Sequence, residues 1–258
     1  MFQPERQAQI MQHLAQHDFL SVQEAIRRFS ASPATIRRDF DDLVSRGLAR
    51  RTHGGVCPAR PEDTLPFAYR ETRHAAEKAA LARAAVTLLE SGDVLFVDGG
   101  TTTFHLSECL PNLPLTLITN SLRLAAALEP RMTGGSLPRL ELFLTGGQVK
   151  PGTGLLAGPG AQKSVEQYRA RWAFLSAGGI SPDGLFNSDE RVAETERMMI
   201  NNADQVVVLV DPSKIGRTAL CRVAPLERIS VLVTMDGPAN AVLDACRKKK
   251  LRILSVKE

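Results

Sequence analysis

Apolar residues recur at helical spacing through the first 46 positions and in short unbroken runs after residue 93, and this change of period divides the chain. Ile10 and Leu14 mark the inner side of a helix over 6–16. Val22, Ile26 and Phe29 mark a second over 21–29, with Ser21 as its N-cap and Glu24 three residues on, as in a capping box. After a turn at Ser30-Ala31, Ser32 caps a third helix, and Pro33 suits its first position, where the missing N–H costs nothing. Ile36, Phe40 and Leu43 form its buried stripe. Ala34, Arg38, Asp41 and Ser45 point the other way, flanked by Thr35 and Arg37. Gly47 reads as the C-cap, 48–51 as a strand, 52–55 as a turn and Val56-Cys57 as the returning strand. Three helices and a hairpin make a winged helix-turn-helix over residues 1–57.

A proline-rich stretch over 58–66 can continue neither a helix nor a central strand and reads as a linker. An Ala-rich helix is expected over 67–90, with Leu81, Ala85 and Leu88 on one stripe. Strand and helix then alternate. Apolar runs at 94–97, 115–118, 140–144, 172–175 and 206–210 each end in small, hydroxylated or glycine residues, and a helix is expected at about 189–202. That is the pattern of an α/β domain over 67–258, with a mostly parallel, Rossmann-like sheet covered on both faces. Ligands in such sheets bind beyond the carboxyl ends of the strands.

The third helix carries the chemistry of the first domain. Small and basic groups lie outermost near its N-terminal end, where a recognition helix meets base edges. Arg37 and Arg38 can each donate two bonds to guanine, and Thr35 offers a hydroxyl and a methyl. Arg46, Arg50, Arg51 and His53 would place positive charge on the wing side for phosphate contact, which fixes register without reading sequence. The plainer reading of such arginines is a solvated helix face; the flanking helices and wing favour DNA. Charge leans the same way: the chain is +4, and residues 1–60 hold nine basic against six acidic side chains. The run Lys248-Lys249-Lys250 reads as a solvated helix end. His13 and His17 read as exposed helix residues, since no third metal ligand accompanies them. Four scattered cysteines, no secretion signal and no run near ~18 apolar residues point to a cytoplasmic protein with reduced thiols and no membrane span.

In the second domain Gly99 and Gly100 let backbone approach a ligand, Thr101 to Thr103 add hydroxyls, and Lys214 offers a cation beside Ser213. For any single turn, glycine and threonine serve only to make a tight strand-to-helix connection; repetition at successive strand ends favours a pocket for a phosphorylated metabolite. Asp98-Gly99-Gly100 lacks the dinucleotide-binding spacing, and no cofactor is expected.

The Thr35-Ile36-Arg37-Arg38-Asp39 run, with Ser32, Gly47-Leu48 and His53-Gly54-Gly55, resembles the N-terminal domain of the DeoR family of bacterial transcriptional regulators over residues 5–56. Asp98-x-Gly100-Thr101-Thr102, Thr119-Asn120-Ser121, Gly146-Gly147, Gly158 and Asp211-x-Ser213-Lys214-x-Gly216 are similar to the sensor domain of the same family, which resembles ribose-5-phosphate isomerase. The resemblance implies DNA contacts from Ser32, Pro33, Thr35, Arg37, Arg38, Arg50, Arg51 and His53. It implies effector contacts from Asp98, Gly100, Thr101, Thr102, Thr119, Asn120, Gly146, Gly147, Asp211, Ser213 and Lys214. It further implies a repressor of a sugar-catabolic operon, working as a homodimer or homotetramer on double-stranded DNA and released by a phosphorylated sugar. An activator answering the same ligands is the alternative within this class.

Two positions depart from the family pattern. Arg171 stands where the family often has Asp, and Glu196 where it has Lys. An ion pair with its ends exchanged is the expectation; otherwise an altered ligand is implied. The rival function is a sugar-phosphate isomerase or deaminase. The related isomerases carry an acidic cluster after the strand matching 172–175, whereas this chain reads Ser176-Ala177-Gly178-Gly179, with no acid until Asp183. A non-enzymatic sensor is therefore expected.

Overall fold

The computed structural model describes residues 2–17, 19–52, 54–59, 67–238 and 240–257. The chain separates into two compact units, Met1–His74 and Ala75–Glu258.

In the first unit α1 (Gln3–Gln16) leads through the short β1 (Leu20–Ser21) to α2 (Val22–Phe29) and α3 (Pro33–Ser45). The wing follows as β2 (Ala49–Thr52) and β3 (Gly55–Pro58), and α4 (Phe67–Thr72) closes the unit against α1. The caps fall where the sequence puts them. Ser21 Oγ accepts from Glu24 N–H at 3.1 Å and Ser32 Oγ from Thr35 N–H at 3.2 Å. Gly47 takes a left-handed φ of +66°, which lets Leu48 N–H reach back to the Leu43 carbonyl and end α3. Ile10, Leu14, Ala25, Phe29, Ile36, Phe40 and Leu43 share one core with Val56 of the wing.

Three expectations change here. Pro58 is in β3, the middle strand of a β1-β3-β2 sheet, not at the head of a linker. The strand tolerates it because β1 pairs only with Gly55 and Val56, so no ladder bond is asked of the proline on that side. The helix expected over 67–90 is broken: α4 stops at Thr72, His74 adopts a positive φ of 52°, and α5 (Ala75–Ala85) starts the second unit. Residues 60–66 of the expected linker lie outside the described residues. Finally, His13 is buried, not exposed; burial, then neighbouring His17, lowers its pKa, and Glu24 lies 3.6 Å from its Nε2.

The second unit continues from α5 through β4 (Val94–Val97), α6 (Thr101–Phe104), α7 (Leu106–Cys109), β5 (Leu115–Thr119), α8 (Leu122–Thr133) and β6 (Leu140–Leu144). A hairpin, β7 (Gln148–Lys150) and β8 (Leu155–Ala157), leads into α9 (Pro159–Glu166) and β9 (Ala170–Leu175). Then come β10 (Gly179–Ser181), β11 (Gly184–Asn187), α10 (Glu190–Asn201), β12 (Ala203–Val210), β13 (Cys221–Ala224), β14 (Val231–Met235), α11 (Ala241–Lys248) and β15 (Arg252–Val256). Seven strands form one parallel sheet in the order β15-β14-β12-β9-β4-β5-β6. Alternate strand residues feed two cores. Phe96, Ile118, Ala173, Leu175, Val208 and Val210 pack under α9, α10 and α11, and Leu95, Leu117, Phe174, Val207 and Leu209 pack under α5, α7 and α8. Burial on both sides is why these strands read as continuous apolar runs. The order reverses between β4 and β9, and the crevice at that switch point is where such sheets take ligands.

Candidate functional site

On the first unit, α3 presents its basic side as the sequence implies. Ile36, Phe40 and Leu43 are buried, while Arg37 and Arg38 are exposed. Among the described residues Arg37, Arg38 and Arg50 have no ion-pair partner, so three guanidinium groups are free for an outside anion. The remaining candidates have local duties. Ser32 and Thr35 share a hydroxyl hydrogen bond of 2.8 Å at the start of α3, with Pro33 as the first helical residue. Arg51 donates to Asp41 Oδ1 at 2.5 Å and to the Arg37 carbonyl at 3.1 Å, with its guanidinium 5.7 Å from the Phe40 ring centroid. It fastens the wing to the outer side of α3. Arg46 is likewise turned to Gln7 and Asp42. His53 lies outside the described residues.

Sequence patterns gave no sign of what anchors α3 from below. Asp39, one position after Arg38, is buried, and Arg6 of α1 grips it through Nε at 2.5 Å and Nη2 at 3.2 Å. The partners are 33 residues apart, so no local spacing reports the pair. Arg27 and Arg28 on the last turn of α2 are exposed as well, with no ion-pair partner among the described residues.

On the second unit, Asp98 joins the two strands at the switch point. Its Oδ1 accepts from Gly100 N–H at 3.2 Å and Thr103 Oγ1 at 2.5 Å, and its Oδ2 accepts from Ser176 N–H and Oγ, both at 2.9 Å. Burial raises its pKa, opposed by these hydrogen bonds. Gly100 has to be glycine: a Cβ there would lie 1.7 Å from Ser176 Oγ.

Strand parity separates the other candidates. The β4–β5 and β5–β6 registers pair Val97 with Thr119 and Thr119 with Leu144, so the next residues, Asp98, Asn120 and Thr145, stand in a row across three strands. By alternation that row continues the α9–α11 side of the sheet, after Phe96, Ile118 and Phe143. Asn120 donates through Nδ2 to the Leu156 carbonyl at 3.1 Å, while its Oδ1 is buried without a partner, as is Thr145 Oγ1. Thr119 and Asp211 instead continue the α5 side, after Leu117 and Leu209. Thr119 Oγ1 accepts from Ser121 N–H. Asp211 Oδ1 caps the turn at Ser213, and its Oδ2 is buried with no hydrogen bond. Lys214 is buried in that turn, and Thr101 and Thr102 are buried in the helix that follows Gly100. Gly146 and Gly147 lie at α9, where Gly146 N–H donates to Ser164 Oγ at 3.1 Å. The candidates therefore surround one edge of the sheet from both faces.

Arg171 and Glu196 do not make the expected ion pair. Arg171 is the second residue of β9, at the opposite end of the strand from Ser176, and its Nη1 binds Glu90 at 2.5 Å and Asp93 at 2.8 Å. Those two carboxylates hold its pKa above the usual arginine value. Asp93 also accepts from Trp172 Nε1 at 2.9 Å, which makes this a structural cluster away from the strand ends that carry the candidate pocket. Glu196 is buried on α10, with Asn187 Nδ2 donating to its Oε1 at 2.7 Å. Burial first, and the negative charge of Asp98 second, push its pKa well up. Nearby, Lys150 of β7 and Asp189 at the start of α10 pair at 2.9 Å. Although burial opposes it, hydrogen bonds from Lys150 and Arg191 bring Asp189 down to about 2.

Comparison with known proteins covers both units. The model of the DeoR-like helix-turn-helix domain matches residues 6–60, and that of the DeoR C-terminal sensor domain matches residues 73–236. An HTH-type transcriptional regulator of Bacillus subtilis, YulB, is 32% identical over 99% of this chain and 98% of its own. The glycerol-3-phosphate regulon repressor of Escherichia coli is 29% identical over 94% of this chain and 95% of its own. The HTH-type regulator GlpR of Haloferax volcanii is 34% identical over 93% and 92%. Among solved structures, ribose 5-phosphate isomerase A of Methanocaldococcus jannaschii aligns over 55% of each chain at 21% identity and a TM-score of 0.39.

Proposed function

Because this chain belongs to the DeoR family of DNA-binding transcriptional regulators, we propose that it represses a sugar-catabolic operon and lets go when a phosphorylated sugar or related metabolite occupies its second unit. The observation that carries the DNA half is the set of free guanidinium groups at Arg37, Arg38 and Arg50, on and beside a helix clamped by Arg6–Asp39 below and Arg51–Asp41 above. A rigid helix with unpaired cations outermost is what base-edge recognition needs. Arg37, Arg38 and Thr35 read bases or the phosphates beside them, and Arg50 and His53 hold the backbone. Ser32, Pro33 and Arg51 act through the position of α3.

An operator read by two copies has half-sites about 34 Å apart or a multiple of that, so the working form is a homodimer or homotetramer. The effector lies at the crevice beyond the strand ends, against Gly100, Thr101, Thr102, Asn120, Gly146, Gly147 and Lys214. Asp98, Thr119, Asp211 and Ser213 shape the turns that line it. The Escherichia coli relative's name, a repressor of the glycerol-3-phosphate regulon, supports a phosphorylated ligand. To act, the ligand has to bind the arrangement that does not fit the operator better than the one that does.

Catalysis is not part of this reading. Asp98 already accepts four hydrogen bonds, and the residues after β9, Ser176-Ala177-Gly178-Gly179, carry no acidic side chain. With its partner DNA inside the cell, the protein works in the cytoplasm; no helix among the described residues is long and apolar enough to cross a membrane. The test is selection of bound sequences from random duplexes, followed by gel retardation with a panel of phosphorylated sugars. A two-fold consensus released by one of them is expected. No preferred sequence would refute the DNA half, and no releasing compound would refute the sensor half.

A further inference from the structure

Glu196 is a charge-bearing group that neither DNA reading nor the packing of the second unit uses. It is 3% exposed, and its one hydrogen bond among the described residues comes from Asn187. Among the described residues no cation makes an ion pair with it. Arg197, next in sequence, is turned to Glu194 and the Arg222 carbonyl, and Lys150 is held by Asp189. The charges that reach it are those of Asp98, another buried acid, and, in the opposite sense and more weakly, Arg197. Buried carboxylates within electrostatic reach of one another are costly, because each is stripped of water and each repels the other.

A second observation lies along the same sheet edge. Asn120 Oδ1 and Thr145 Oγ1 are buried without a hydrogen-bond partner, in the row that starts at Asp98. Buried polar atoms in native proteins find partners almost without exception. The Asn120 amide is spent on Leu156, so its free oxygen asks for a donor. Glu196 and Asn120 present acceptors and Thr145 a hydroxyl that can accept, so a ligand bringing donors and positive charge would complete the region. A metal ion is a poor match: no group of three His, Cys, Asp or Glu side chains among the described residues could hold one.

We propose that the sensor takes a ligand bearing a protonated amine, its ammonium set against Glu196 in the field of Asp98 and its hydroxyls donating to Asn120 and Thr145. Amino sugars and their phosphates have this chemistry. The proposal rests on the second unit being the effector sensor, and it names the ligand class that Glu196 selects.

The test uses the full chain at pH 7 with two matched pairs of probes: glucosamine 6-phosphate against glucose 6-phosphate, and galactosamine 6-phosphate against galactose 6-phosphate. Within a pair only an amine and a hydroxyl differ. Calorimetric titration should give the amino member of at least one pair an affinity higher by on the order of tenfold or more, the scale of one charge-assisted hydrogen bond. Glu196→Gln keeps the oxygen that Asn187 binds, and Trp172 fluorescence checks that the unit stays folded. In that variant the amino sugar should lose its advantage over its hydroxyl twin. Equal affinities within both pairs, a preference that survives Glu196→Gln, or no binding by either amino sugar would overturn the proposal. If the hydroxyl twins or other neutral sugar phosphates still bind, the sensor reading stands without it; if no phosphorylated sugar binds, that reading falls as well.

Discussion

Replacing Arg6 with Met tests whether α3 is held in reading position by a buried ion pair. Met keeps most of the aliphatic stem and removes the charge. Asp39 is left 1% exposed, with the two hydrogen bonds of 2.5 and 3.2 Å gone. Charge-assisted hydrogen bonds contribute roughly 1.5–3 kcal/mol each, and breaking a buried pair from one side costs about 3–5 kcal/mol, so the two routes agree on a loss of about 3–5 kcal/mol. For a unit of this size that is a fall of at least ~12 °C in its melting point. Hydrogen exchange followed on α3 peptides reads the loss where it occurs. Trp172, the only tryptophan, lies in the other unit and serves as an internal control that should not move. The companion variant Arg6→Met/Asp39→Leu removes both charges and should regain most of the loss, along with operator binding, because a well-packed apolar pair often equals a buried ionic one. A single-variant loss below about 1 kcal/mol, or a double variant worse than the single, would refute the clamp.

Arg38→Ala should weaken operator binding by about 1–3 kcal/mol if the guanidinium is bidentate to a base, measured by gel retardation at fixed salt; unchanged affinity would remove Arg38 from the reading surface. Lys214→Ala should leave operator affinity intact and blunt release by the effector found in the panel, and a normal response would take Lys214 out of the pocket. Glu196 gives a pH dependence of fixed sign. Its folded pKa lies above its unfolded one, so the stability it confers is whole below about pH 4.5 and is lost as pH rises through the folded value. The denaturation midpoint of the second unit, followed by Trp172 fluorescence, should therefore fall from pH 5 to 8 more steeply in the wild type than in Glu196→Gln. Parallel slopes would show that Glu196 does not titrate there.

Local order was legible in the chain because it is encoded by neighbours. Ser21, Ser32 and Gly47 act within one helical turn of themselves, and the stripe Ile36–Phe40–Leu43 needs only a period of 3.6 to be seen. Apolar runs ending in Asp98-Gly99-Gly100 or Thr119-Asn120 likewise announce strands buried on both sides. The break at His74 was hidden, because nothing in an Ala-rich stretch signals where two compact units part. The place of Pro58 is hidden for a related reason: whether a strand tolerates proline depends on how far its neighbour extends.

Partners distant in sequence were decided by the tertiary structure alone. Arg6 finds Asp39 across 33 positions, Asp98 finds Ser176 across 78, and Arg171 meets Glu90 and Asp93 instead of Glu196. Residue types state which charges need a partner, but distance and burial choose it, and both arise only when the strand order places β4 beside β9. The sequence alone thus determined that this protein carries the helix-turn-helix of a DNA-binding regulator and a parallel α/β sensor domain. The fold decided which arginines stay free, which are spent on holding α3, and that Glu196 is buried on Asn187 and not paired with Arg171, because electrostatic consequence follows from proximity in space and not along the chain.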